Sequence, residues 1–136
     1  MNHEHLYFIL FDSRNNIFGH YHSTKISNII DFNPSKDNKS FVFKIVVNDP
    51  IEMLTFHPIQ QQIMYFAKNG FYSCFGKKDG TGYGFSVQEL MKPTSAFNDD
   101  MKKSYDGLSD TKTFAGCTEP DHFCPMSLIV MEMKNN

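Results

Sequence analysis

The chain predicts a mainly β domain, two packed antiparallel sheets in a sandwich-like arrangement with long loops and few short helices; α+β is the alternative. Three observations lead there. First, 14 Phe and 6 Tyr with no Trp in 136 residues are the residue types that suit a pleated, half-buried surface. Second, apolar runs of strand length alternate with clusters of Gly, Pro, Asn and Asp, the punctuation of turns. Third, the segment Phe75-Gly76-Lys77-Lys78-Asp79-Gly80-Thr81-Gly82-Tyr83-Gly84-Phe85 places glycines densely between Phe-ended runs. Glycine at that density marks backbone that needs positive φ or close approach to another chain segment.

The elements follow in order. Leu6 to Phe11 is a largely buried strand, and Asp12-Ser13-Arg14-Asn15-Asn16 is a turn of residues that tolerate the left-handed region or cap the backbone locally. Ile17 to His22 returns as its hairpin partner. Asp31 to Asn38 is a polar loop. Ser40 to Val47 is the cleanest strand, with Phe41, Phe43, Ile45 and Val47 on one face and Val42, Lys44 and Val46 on the other. After Asn48-Asp49-Pro50, short strands are expected at Ile51 to Phe56, Ile63 to Ala67, Phe71 to Phe75 and Tyr83 to Val87. Ser86-Val87-Gln88-Glu89 also fits a helix capping box, which Lys92-Pro93 would end within about a turn. Thr94 to Asp110 is expected as a long surface loop. Met126 to Met133 closes the chain as a strand, and its continuous apolar centre suits burial on both faces.

Length and charge narrow the function. The chain has room for one core, and so one domain, 1–136. Lys and Arg total 13 against 15 Asp and Glu, a formal charge of -2. The basic excess of a nucleic-acid binder is missing. No apolar run reaches the ~20 residues of a membrane span. Leu6 to Phe11 is too short for a signal core. Three cysteines, Cys74, Cys117 and Cys124, point to free thiols in a reducing, cytoplasmic setting.

Each chemical constellation has a plainer reading. The glycine loop lacks the closing Gly-Lys-Ser/Thr of a phosphate-binding loop, so a structural hairpin is preferred. His3, His5, His20 and His22 form two His-x-His pairs on paired strands, which makes His20 and His22 weak metal candidates. Exposed strand histidines are the preferred reading, since a transition-metal site needs three or four preset ligands. Cys117, His122 and Cys124 could form a reversible disulfide or a His-activated thiolate, against two ordinary loop thiols. Cys74 reads as a small core residue. Asp31 to Val42 begins like a calcium loop but has Lys36 where glycine is needed and Val42 where the bidentate Glu belongs. No cofactor or catalytic set is expected.

The order of motifs resembles the TLDc domain family. The resemblance rests on Tyr7 to Phe11, Phe18-Gly19-His20-Tyr21, Ser40-Phe41-Val42-Phe43, Phe75-Gly76 with Gly80, Gly82, Gly84 and Phe85, Thr113-Phe114, and Leu128 to Met133, all collinear. His20 stands where the family has the second glycine of Phe-Gly-Gly, and Thr111 near where it often has a cysteine. The family usually has helical and strand segments before its Leu6-like strand, so with five residues there the resemblance implies a short or N-terminally truncated, divergent member. It further implies a two-sheet fold and a non-enzymatic protein-binding role in oxidative-stress resistance, with subunits of the vacuolar proton-pumping ATPase as partner. Loops Thr24 to Asn38 and Thr94 to Asp110 are the expected recognition surfaces. The alternatives are a thiol redox protein using Cys117 and Cys124, a small ligand-binding sandwich using Tyr21, Tyr72 and Tyr83, or a degenerate fragment.

Overall fold

The computed structural model describes residues 3–26, 32–34, 39–66, 72–78, 81–109 and 122–134. Their strands are β1 (Leu6–Asp12), β2 (Ile17–His22), β3 (Phe32–Pro34), β4 (Phe41–Val46), β5 (Glu52–Phe56), β6 (Gln61–Phe66), β7 (Tyr72–Lys78), β8 (Thr81–Val87), β9 (Ser95–Phe97), β10 (His122–Phe123) and β11 (Pro125–Glu132). A 3-10 helix spans Asp99–Lys103. The strands form two antiparallel sheets, a five-stranded one in the order β11-β1-β2-β4-β5 and a six-stranded one in the order β10-β9-β8-β7-β6-β3. They pack as a sandwich.

The β1–β2 hairpin is set by its turn. Asp12 is buried, and one carboxylate oxygen accepts from the backbone N–H of Arg14 (2.9 Å) and of Asn16 (2.8 Å). The other accepts from the Asn16 side-chain amide at 2.9 Å. Asn15 takes the left-handed conformation, φ 63°, which Asn tolerates better than most residues. In the resulting register Leu6 faces His22, Phe8 faces His20 and Leu10 faces Phe18. These side chains all point into the sandwich.

Phe18 is the main contact between the sheets. Its ring lies 5.1 Å from Phe123, 5.3 Å from Phe97 and 6.1 Å from Phe85, with near-perpendicular planes against Phe123 and Phe85. A second tie is polar. The Gln62 side-chain amide on β6 donates to the Tyr21 carbonyl on β2 at 2.8 Å, and the Tyr105 hydroxyl donates to Gln62 Oε1 at 3.1 Å.

Gly19 and Gly84 are closed to any side chain. A Cβ on Gly19 would sit 1.8 Å from the Phe8 carbonyl oxygen, and one on Gly84 would sit 1.9 Å from the Cys74 carbonyl oxygen. Both neighbours are backbone of a paired strand and cannot swing aside. At Gly82 the obstacle is the Phe75 ring at 2.6 Å, a half-buried side chain that can turn.

Four expectations are corrected. Met126 to Met133 does contain a strand, but β11 lies at the sheet edge. Met126, Ile129, Val130 and Met131 are exposed instead of covered on both faces. Thr94 to Asp110 is no surface loop: it holds β9 and the 3-10 helix, and it buries Phe97, Met101, Tyr105 and Leu108. Its polar residues concealed this, because the apolar ones are spaced to fit a short strand, a turn and a bridge between Pro58 and Tyr105. The polar loop of Asp31 to Asn38 contains β3, paired to β6 through Phe32–Tyr65, Asn33–Met64 and Pro34–Ile63. The capping-box reading fails because Ser86 and Val87 pair within β8, so no helix starts there.

Because their steric neighbours differ, the glycines should differ in tolerance. Gly19→Ala and Gly84→Ala should each cost about 3 kcal/mol or more, through forced separation of paired strands. Gly82→Ala should cost about 1 kcal/mol, since a ring can move. Urea unfolding of the three variants gives this order directly; equal losses would refute the steric account.

Candidate interaction surface

The outward face of the five-stranded sheet carries an unusual surface. Its rows, read from the strand register, are Met131–Tyr7–Tyr21–Phe41, then Ile129–Ile9–Gly19–Phe43–Thr55, then Ser127–Phe11–Ile17–Ile45–Met53. None of these residues is charged. The charged residues of the same five strands, Asp12, Lys44, Glu52 and Glu132, alternate onto the other face. A sheet with one solvated face normally carries polar side chains on that face.

Four rings gather at one end of this face. Tyr7 stacks at a tilt on Tyr21 with centroids 4.7 Å apart, and Tyr21 lies 5.2 Å from Phe41. Phe43 lies 6.0 Å from Tyr7 and is fully buried although it points outward. Its neighbour across the strand pair is Gly19. The Tyr21 hydroxyl is held 2.8 Å from His5 Nδ1. His5, Tyr7, Tyr21 and Met133 line an open notch of about 230 Å³ at this corner. His5 drew notice in sequence only as half of a His-x-His pair, and Tyr7 only as the start of a strand motif; nothing there joins them to Tyr21.

The residues singled out from sequence separate clearly. Phe18 and Phe85 lie in the core, Phe41 is half-buried and Phe43 buried on the outward face, and Phe75 is half-buried over Gly82. Gly76 is pressed against Ser104 and Tyr105, where a Cβ would meet the Ser104 carbonyl oxygen at 2.7 Å. Gly80, Phe114 and Cys117 lie outside the described residues, as does most of the expected loop Thr24 to Asn38. Beyond Gly76, the glycines of β8 border an open groove of about 300 Å³ on the six-stranded sheet, lined also by Ser73, Ser86 and Ala96. The chain continues as strand on both sides, so the helix start that a phosphate loop requires is missing. Tyr83 lines that groove, away from Tyr21, and the Tyr72 side chain lies outside the described residues.

The histidine expectation is overturned. His20 and His22 are fully buried, not exposed. His20 stacks on Phe8 at 4.6 Å with planes 6° apart, and lies 6.0 Å from Phe85. Thr24 Oγ1 lies 3.3 Å from His22 Nε2. Burial, with a smaller contribution from His22, holds His20 well below the usual histidine range. Among the described residues no cluster of three His, Cys, Asp or Glu could hold a metal.

The thiols are equally distinct. Cys74 is fully buried 3.8 Å from the Tyr105 hydroxyl, and burial pushes its thiol far above the ordinary range. Burial likewise raises the Tyr105 hydroxyl, with Cys74 adding to it. Cys124 is half-buried, 4.0 Å from the Met126 sulfur, and His122 is exposed.

A two-sheet antiparallel sandwich with an uncharged, aromatic outward face is thus the class of domain this chain forms. The chain belongs to the TLDc domain family, whose pattern it matches over residues 1–127. Comparison with curated proteins and with solved structures returned no match. No helix among the described residues is long and apolar enough to cross a membrane.

Two measurements check this account of the buried groups. His20 stays neutral in the fold, whereas the unfolded chain takes up its proton near pH 6.5. Stability should therefore be level above about pH 7 and fall as pH drops through 6.5, by at most ~1.4 kcal/mol per pH unit from this group. His20→Phe should reduce that slope in urea melts taken from pH 7.5 to 5. Separately, in a Cys117→Ser background a thiol-reactive dye should label Cys124 in the native protein and Cys74 only after unfolding; prompt labelling of Cys74 would contradict its burial.

Proposed function

We propose that this domain is a non-enzymatic, cytoplasmic protein-interaction module that acts in oxidative-stress resistance by binding peripheral subunits of the vacuolar proton-pumping ATPase. Family membership supplies the biological setting. The observation that carries the reading is the uncharged outward face of the five-stranded sheet, with its half-buried Tyr7, Tyr21 and Phe41 cluster. Apolar surface rich in aromatics and free of charge is the composition of the centre of a protein interface. This reading puts the recognition surface on the sheet and not on Thr94 to Asp110, which spends its large apolar residues on the core.

The redox alternative has less support. Cys74 is a poor nucleophile in its buried setting, because the thiolate is the reactive form. Cys124 lies 4.0 Å from the Met126 sulfur, and Cys117 lies outside the described residues.

The test is a lysate pull-down with the folded domain and with Ile45→Lys/Met53→Glu. Those two positions face each other on β4 and β5, so the new charges attract within the sheet while disrupting its outward face. Recovery of proton-pump subunits by the parent, and at least about a tenfold loss with the variant at unchanged melting temperature, is the expected result. Equal recovery by both would remove the face from the reading, and no pump subunits from a cooperatively folded parent would remove the partner.

A further inference from the structure

We propose that two copies of this chain pair through β11, edge to edge and antiparallel, to form a two-fold dimer with one continuous sheet. The proposal concerns self-association and stands independently of any pump partner.

Among the described residues the edge is open, and its centre lacks the usual protection. On one side β11 pairs with β1 from Leu6–Glu132 to Leu10–Leu128, and it ends the sheet order among the described strands. Met133 N–H donates to the His5 carbonyl at 3.0 Å. Because backbone groups alternate along an antiparallel strand, Ile129 and Met131 also turn theirs toward β1. Leu128, Val130 and Glu132 then direct their N–H and C=O groups to the open side. Natural edges are blunted by charge, proline or a bulge. Between Met126 and Met131 there is no charge and no proline, and the one register shift lies at the Pro125 end.

Exposure agrees with a missing neighbour on this strand. Ile129 and Met131 point to the outward face and Val130 to the inward one, yet all three are 46–51% exposed. Both faces of an apolar strand are thus wet at once. The opposite edge of the sheet, β5, is shorter and carries Glu52.

The second copy is favoured over an unrelated strand because β11 complements itself. A two-fold axis through Val130 sets Val130 against Val130, Leu128 against Glu132 and Met126 against Lys134 of the second copy. Ile129 then faces Met131 on the outward side. No like charges oppose each other in this register, and Glu132 keeps its contacts within its own chain to His3 (3.1 Å) and Lys134 (3.8 Å). The outward-facing backbone groups of both copies pair in full. An isologous contact of this kind closes after two copies, whereas β11 on β5 would propagate.

The experiment is sedimentation velocity of the full chain over about a hundredfold range of concentration. A monomer–dimer equilibrium is expected. Val130→Lys puts two lysines in direct opposition on the axis and should weaken the dimer by about tenfold or more. Ile129→Glu should also weaken it, and Ile129→Glu/Met131→Lys should restore it, because each Glu then faces a Lys of the second copy. This restoration keeps the test sound if Val130→Lys folds poorly. A parent that stays monomeric throughout, a dimer indifferent to Val130→Lys and Ile129→Glu, or assembly beyond the dimer would each overturn the proposal.

Discussion

The sandwich depends on Phe18. One ring from β2 meets rings from β8, β9 and β10 at 5.1–6.1 Å, so a single side chain of the first sheet fixes the position of three strands of the second. Edge-to-face geometry gives such contacts directional preference beyond the area they bury. The placement of Phe18 rests in turn on its neighbour. Gly19 lets β1 and β2 approach until no Cβ would fit. The Phe-Gly pair therefore serves two contacts, with an inward ring as anchor between the sheets and an absent side chain as clearance between paired strands.

Much of this was readable from sequence, and the reasons are local. β1, β2 and β4 have alternating or continuous apolar patterns bounded by Asp, Asn and Pro. Where a strand is bracketed in this way, periodicity and turn chemistry agree. The β7–β8 hairpin was likewise visible from its glycines. The segments that escaped detection depend on distant partners. Phe32–Pro34 and Ser95–Phe97 are too short to show a period, and they become strands only because β6 and β8 offer free edges. Tyr105 looked like part of a polar loop, but its position is set by Gln62, Cys74 and the backbone around Pro58.

The outward face was harder to recognise. The alternation of Phe41, Phe43 and Ile45 against Val42, Lys44 and Val46 assigns the two sides of β4 correctly without saying which side is wet. With apolar residues on both, either could be the core. Only the pairing of Val42 with His20, and of His20 with Phe8, decides it. The histidines were misjudged for a related reason: polarity suggested exposure. A neutral imidazole stacked on a phenyl ring behaves as a flat, mostly apolar group once its charge is suppressed by burial. His20 fills a core position, and its ring occupies volume between Phe8 and Phe85.

The distribution of sulfur in the fold has a chemical consequence. Met64, Met101 and Cys74 are sealed in the core, while Met53, Met91, Met126, Met131 and Met133 are exposed. Among the described residues a diffusing peroxide thus meets the thioethers along β11 and β5, and the half-buried Cys124, before it reaches the sulfurs sealed in the core. Conversion to sulfoxide replaces a flexible apolar chain by a polar one. The surface would change character while the interior remained intact, so oxidative damage to this domain registers first in what it can adhere to and only later in whether it stays folded.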